Sequence, residues 1–185
     1  VRSESWAYEL ACERLSVSLP QRWAHVEAVA RRAGTASVVV GDGAGVLWTA
    51  AVLHDVGYAP ELAATGLHSL DGARFLRGLG VDERVVGLVA FHSAARWDAE
   101  LAGLASSLGE FVDEGPTVVR DALWWADMTV GPDGAVVGFE ERMAEVRRRY
   151  GPDHAVSRAV NASLSERAEA VNRTESRLRA AGVQV

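Results

Sequence analysis

The sequence contains no lysine, and its single cysteine, Cys12, has no partner within the chain. A lone thiol excludes an intrachain disulfide framework and fits a reducing compartment. Long apolar runs are also missing. The longest, Val46-Leu47-Trp48-Thr49-Ala50-Ala51-Val52-Leu53, falls well short of the ~20 residues that span a bilayer. The amino-terminal stretch VRSESWAYELACERL places acidic residues where a secretory signal has its apolar segment. A cytoplasmic protein with no membrane partner is therefore expected. Positive charge is in deficit: 19 basic residues, all arginine, face 25 acidic ones, for a net charge of −6. Nucleic-acid binders usually present a basic face, so nucleic acid is not an expected partner.

What is present is an ordinary core. A chain of 185 residues fits one domain and can bury an apolar interior without disulfides or a structural metal. Hydrophobic residues make up 49% and charged residues 24%, which excludes intrinsic disorder. Trp23, Val26, Ala30 and Ala33 recur at helical spacing, with Pro20 suited to a first turn and Gly34 to an exit. A third helix from about Gly43 to about Asp55 is apolar nearly all round and belongs at the centre of the core. The run Gly57-Tyr58-Ala59-Pro60 ends it.

Further helices are predicted over His68 to Leu79 and Asp82 to His92, and a short one around Leu101, Leu104 and Leu108. Another opens at Gly115-Pro116-Thr117, and Gly131-Pro132-Asp133-Gly134 reads as a turn. Phe139 to Tyr150 reads as a surface helix whose Arg147-Arg148-Arg149 run is solvated. One long helix should follow Gly151-Pro152-Asp153, with the stripe Val156, Val160, Leu164, Ala168, Val171 and Leu178; a second copy of the chain could pair with it. Val38-Val39-Val40 fits either helix or extended chain. The reading is one all-α bundle of about seven to nine helices.

Five histidines occur: His25, His54, His68, His92 and His154. His54 and Asp55 are adjacent at the end of the most apolar helix, and Asp127 sits within Leu123-Trp124-Trp125-Ala126-Asp127-Met128. An isolated charge in such a setting costs several kcal/mol and needs a partner. Imidazole with carboxylate suits divalent zinc, manganese, iron, cobalt, nickel or magnesium. A single histidine in a helical protein is more often a hydrogen-bonded residue than a ligand, so order, spacing and setting must carry the inference together.

Taken together, they resemble the HD-domain superfamily of metal-dependent phosphohydrolases. Arg22-Trp23-Ala24-His25-Val26 is similar to its first ligand helix, Ala51-Val52-Leu53-His54-Asp55-Val56-Gly57 to its His-Asp doublet, and Ala126-Asp127 to its last aspartate. The resemblance covers about residues 20 to 130 of a single domain over 1–185, with supporting helices at about 137–182. It implies that His25, His54, Asp55 and Asp127 hold a divalent metal. His68, followed by Asp71-Gly72-Ala73, and His92-Ser93 resemble a two-metal subset that includes diadenosine tetraphosphatases and HD-GYP phosphodiesterases. There Asp55 would bridge, and one or two ions would bind per chain. Tyr58 stands where that subset commonly has lysine.

The activity implied is hydrolysis of a phosphate ester or anhydride in a small molecule, a nucleotide being the leading substrate class. Asp55 and His54 would serve at the catalytic metal, and Arg22, on the His25 helix face, would bind phosphate, with Arg74 and Arg77 as further candidates. Two alternatives share the ligand set: a di-iron oxygenase acting on a small polar substrate, and a non-catalytic nucleotide-binding module. Tyr58, Trp48, Trp97, Trp124 and Trp125 are candidates for stacking on a base.

Overall fold

The computed structural model describes residues 3–185. The chain forms α1 (Glu4–Leu15), α2 (Pro20–Val40), α3 (Ala44–Leu53), α4 (His68–Gly78), α5 (Glu83–Phe91), α6 (Ala95–Leu101), α7 (Ala105–Leu108), α8 (Val118–Met128), α9 (Phe139–Tyr150), α10 (Ala155–Ala162) and α11 (Leu164–Ala180). Nine of these have eight residues or more; α6 and α7 are shorter. Short 3-10 turns lie at Gly41–Gly43, Val56–Tyr58 and His92–Ala94. Among the described residues no strand forms, and one isolated antiparallel bridge, Val130 to Val136, closes the turn after α8. The all-α expectation holds.

Local chemistry sets several helix starts. The side chains of Ser3, Asp82 and Thr117 accept hydrogen bonds from the first turns of α1, α5 and α8, and Pro20 opens α2. Pro116 precedes the Thr117 cap rather than entering the first turn. Gly34 does not end α2. It sits on an exposed helix face, and α2 continues through Val38–Val40 until Gly41, whose φ of +56° breaks it. A solvated glycine weakens a helix, but it stops one only where the backbone leaves the right-handed region. The predicted last helix is two. Ser163 interrupts it, its hydroxyl donating back to Ala159 O at 2.7 Å. The stripe is divided accordingly, and Ala170 is buried in place of half-buried Ala168.

α3 occupies the middle, packed on α1, α2, α5 and α8. Leu47, Ala50, Ala51, Val52 and Leu53 are fully buried. The helical stretch Pro20–Tyr58 is long and apolar enough, by composition, to cross a membrane. Here its second half is instead the bundle's core helix, set off by the break at Gly41–Gly43. α11 is fastened to α8 through Asp121, fully buried, which pairs with Arg120 at 3.0 Å and Arg173 at 2.7 Å.

Two contacts place the turn after α3 against α4. A Cβ on Gly57 would lie 2.0 Å from His68 O and 2.5 Å from Gly72 N, so only glycine admits this approach. Asp71 accepts hydrogen bonds from Ala64 N (3.1 Å), Thr65 N (3.0 Å) and Thr65 Oγ1 (2.9 Å), clamping the loop that delivers His68. Gly57→Ala is expected to destabilise by about 1–3 kcal/mol or more, because backbone atoms must move. At Gly34 a Cβ meets nothing within 4 Å, and Gly34→Ala should stabilise by about 0.5–1 kcal/mol. Thermal melts of the two variants check both; equal shifts would contradict this reading.

Candidate metal centre

Five segments deliver six side chains to one point. His25 comes from the first half of α2, His54 and Asp55 from the end of α3, His68 from the first position of α4, His92 from just after α5, and Asp127 from the last turn of α8. Asp55 is the hub. Its Oδ2 lies 3.3 Å from His54 Nε2 and 3.9 Å from His25 Nε2; its Oδ1 lies 3.4 Å from His68 Nε2 and 3.8 Å from His92 Nε2. Asp127 Oδ1 completes the first side, 3.0 Å from His25 Nε2 and 3.7 Å from His54 Nε2. Two groups that could each hold a metal ion result: His25, His54 and Asp127, and Asp55, His68 and His92.

The outer partners point the ring nitrogens inward. Nδ1–H of His25 donates to Gly131 O (2.9 Å), that of His54 to Ala51 O (2.7 Å) and that of His92 to Val89 O (2.6 Å). Each bond leaves Nε2 facing the centre, the usual device for orienting metal-ligating histidine. His54 Nε2 is buried without a hydrogen bond. His68 Nε2 and His92 Nε2 face each other at 3.1 Å, a separation that needs a proton or a cation between two lone pairs. Opposed imidazoles, one buried carboxylate and one half-buried carboxylate fit divalent ions.

The charges are tightly coupled. Burial opposes the charge on His54, but Asp55 and Asp127 overcome it and raise its pKa to about 9. Burial drives His68 down to about 3 against the pull of Asp55, and burial with neighbouring His54 lowers His92. Burial works against ionised Asp55 and Asp127, yet His54 and Arg22 hold the first, and His25 and His54 the second, well below the ordinary carboxylate range.

Strain is concentrated beside the centre. Ser93 (φ 49°, ψ 40°) and Ala94 (φ 60°, ψ 32°) are consecutive left-handed residues without being glycine, at a cost of about 1–2 kcal/mol each. The turn they make lets Ser93 Oγ donate to Asp127 Oδ2. That bond fixes the carboxylate with Oδ1 toward His25.

A family model described as HD domain matches residues 22–122, more than half of the chain. The chain belongs to the HD-domain family. The match includes His25, His54, Asp55, His68 and His92 and ends five residues before Asp127. Searches of curated proteins and of solved structures returned no match.

The HD centre opens into a cavity of about 440 Å³, whose lining includes Asp55, His68, His92 and Asp127. Arg22 also lines it. One guanidinium nitrogen donates to Asp55 Oδ2 at 2.8 Å, and the group lies over the Tyr58 ring at 4.2 Å. Burial disfavours the Arg22 charge, but Asp55 more than compensates and raises its pKa. Tyr58, in the position of the subset's lysine, stacks on His68 with ring centroids 3.9 Å apart. Arg74 and Arg77 do not reach the cavity; they pair with Glu110 and Glu83 at the surface. Trp48, Trp97, Trp124 and Trp125 are not part of its lining, and Trp124 and Trp125 are core residues.

The sequence reading missed the opposite wall. Arg142, Met143, Val146, Arg149 and Tyr150 of α9 line the cavity, as do His154 and Arg167. The α9 positions recur at spacings of one, three and four, a helix-face signal hidden by the helix's high charge. Arg148 and Arg149 are exposed, as the solvated reading has it, but Arg149 also borders the cavity and pairs with Glu145.

With metal absent, His54 carries its proton through neutral pH. The stability from that charge is fully present below about pH 6.5 and is lost as pH rises through about 9. Metal loading at pH 7.5 is expected to release about one proton from His54 per chain, the release fading toward pH 9. Calorimetric titration in buffers of different ionisation enthalpy reads it, and buffer-independent heats at pH 7.5 would contradict it. Ser93→Ala should weaken metal affinity by ~10–100-fold with the fold retained, measured by the same titration; an unchanged affinity would remove the role of Ser93.

Proposed function

We propose that this HD-domain protein is a metal-dependent phosphohydrolase that cleaves a phosphate ester or anhydride of a small molecule, with nucleotides as the leading class. The observation that carries the reading is the Asp55 carboxylate. Its Oδ2 lies 3.3 Å from His54 of one candidate ligand group and its Oδ1 3.4 Å from His68 of the other, and it borders a cavity lined by arginine. His25, His54, Asp55 and Asp127 would hold one ion, and Asp55, His68 and His92 a second. A bound divalent ion supplies activation of water and polarisation of a phosphoryl oxygen.

The chain's own residues supply position and charge. Backbone carbonyls lock His25, His54 and His92 in the tautomer that presents Nε2. Ser93 fixes Asp127, and Gly57 allows the turn after Asp55 to press against His68. Arg22 spends one recorded donor on Asp55; its remaining donors suit a phosphoryl oxygen as charge grows on the equatorial oxygens. Met128, Met143, Val146 and Val160 give the cavity an apolar wall that limits water around the reacting group.

Metal-loaded wild type is expected to release inorganic phosphate from a panel of phosphorylated metabolites under anaerobic conditions, with about two ions bound per chain. Asp55→Ala should lose bound metal and all phosphate release while keeping its helical circular dichroism. His68→Ala should retain about one ion in place of two. Full activity in Asp55→Ala, or oxygen uptake by an iron-loaded protein with no phosphate released, would overturn the phosphohydrolase reading.

A further inference from the structure

Two arginines are buried among the described residues, Arg120 and Arg167, 4% and 6% exposed. Arg120 is neutralised, pairing with Asp121 at 3.0 Å and Glu166 at 3.3 Å. Arg167, in the first turn of α11, has no such partner. Its Nε donates to Ser163 Oγ at 2.7 Å, and its Nη1 faces Met128 Sδ at 3.8 Å, a weak acceptor. The acidic groups that act on its charge are Asp98, Asp127 and Glu166, none within ion-pairing distance, and Glu166 is already held by Arg96 and Arg120. Burial accordingly lowers the Arg167 pKa.

A buried guanidinium without a counter-ion is unfavourable and rarely retained without a partner. This one lines the same cavity as Asp55, His68, His92 and Asp127. It also lies beyond residue 122, where the HD-domain match ends. We propose that Arg167 is a phosphoryl-binding residue of the cavity, acting from the α11 wall as Arg22 does from the α2 wall. The inference rests on the phosphohydrolase reading of this site and narrows its substrate class. The ligand is a phosphomonoester or pyrophosphate of a small molecule, its charged oxygens taken by the guanidinium fork. Met143 and Val160, which line the same cavity, offer an apolar surface for the body of that molecule.

The test uses metal-loaded full-length protein, inorganic phosphate as the probe, and three readouts: bound metal, melting temperature and phosphate affinity by calorimetry. Arg167→Gln is expected to keep the wild-type metal content, to melt no lower than wild type, and to bind phosphate about tenfold more weakly or worse. Phosphate should raise the wild-type melting temperature and leave that of Arg167→Gln nearly unchanged. A lower melting temperature with unchanged phosphate affinity would make Arg167 structural and overturn the proposal. Should Arg167→Gln fail to fold, Arg167→Lys decides: the charge stays but the fork is lost, so affinity should fall by about threefold or more, and an unchanged value overturns the proposal. Metal content and phosphate release of the wild type are read separately. If those fail, the phosphohydrolase reading fails, and the calorimetry still decides whether Arg167 binds the anion.

Discussion

Two carboxylates and four imidazoles meet inside a bundle whose other interior residues are mainly alanine, valine and leucine, and the structure is organised around making that possible. Asp55 is 2% exposed and His54 fully buried. Ionised groups at such depth persist only with opposite charge and oriented dipoles around them. Without metal, a charged His54 and Arg22 supply that compensation. With metal, the same lone pairs are already aimed at one place. His54 Nε2 lies 3.3 Å from Asp55 Oδ2, and His68 Nε2 and His92 Nε2 are 3.1 Å apart, an arrangement that a proton holds without metal and a divalent ion could take over.

The surrounding fold follows from that constraint. α3 can be apolar on every side because other helices enclose it, and it ends where its last turn delivers His54 and Asp55. The turn beyond it presses so closely on α4 that Gly57 has no substitute, and Asp71 clamps the loop between them. Left-handed Ser93 and Ala94 store local strain where the backbone must reverse to bring Ser93 to Asp127. The charge network of Arg120, Asp121 and Arg173 fastens α11 to α8, which steadies both Asp127 and the wall that carries Arg167.

Much of this was legible in the sequence, because ligand chemistry and helical periodicity are local signals. The all-α class and the central place of α3 could be read from periodicity, and the six clustered side chains from the resemblance to HD domains that their order and setting carry. Gly34 misled because a glycine does not decide by itself whether a helix continues, and the unbroken apolar stripe hid the break at Ser163. Gly34 stays right-handed and α2 runs on; at Ser163 the backbone turns to φ −98°, ψ 3° and α10 ends. The second wall of the cavity was not legible. Arg142 and Arg149 sit in a strongly charged segment, and the burial of Arg167 depends on how α11 packs, which periodicity does not encode. Arg74 and Arg77, the secondary phosphate candidates, turn to Glu110 and Glu83 on an exposed helix face instead.

Residues within the HD-domain match, joined by Asp127, form the centre, while α9 to α11 contribute lining to the cavity it opens into. The most direct test is crystallography of the manganese-loaded protein with data collected on both sides of the metal's absorption edge. The account requires two anomalous peaks on either side of the Asp55 carboxylate, one among His25, His54 and Asp127 and the other beside His68 and His92. Ordered manganese elsewhere, or none at these six side chains in a protein shown to have taken up the metal, would contradict it.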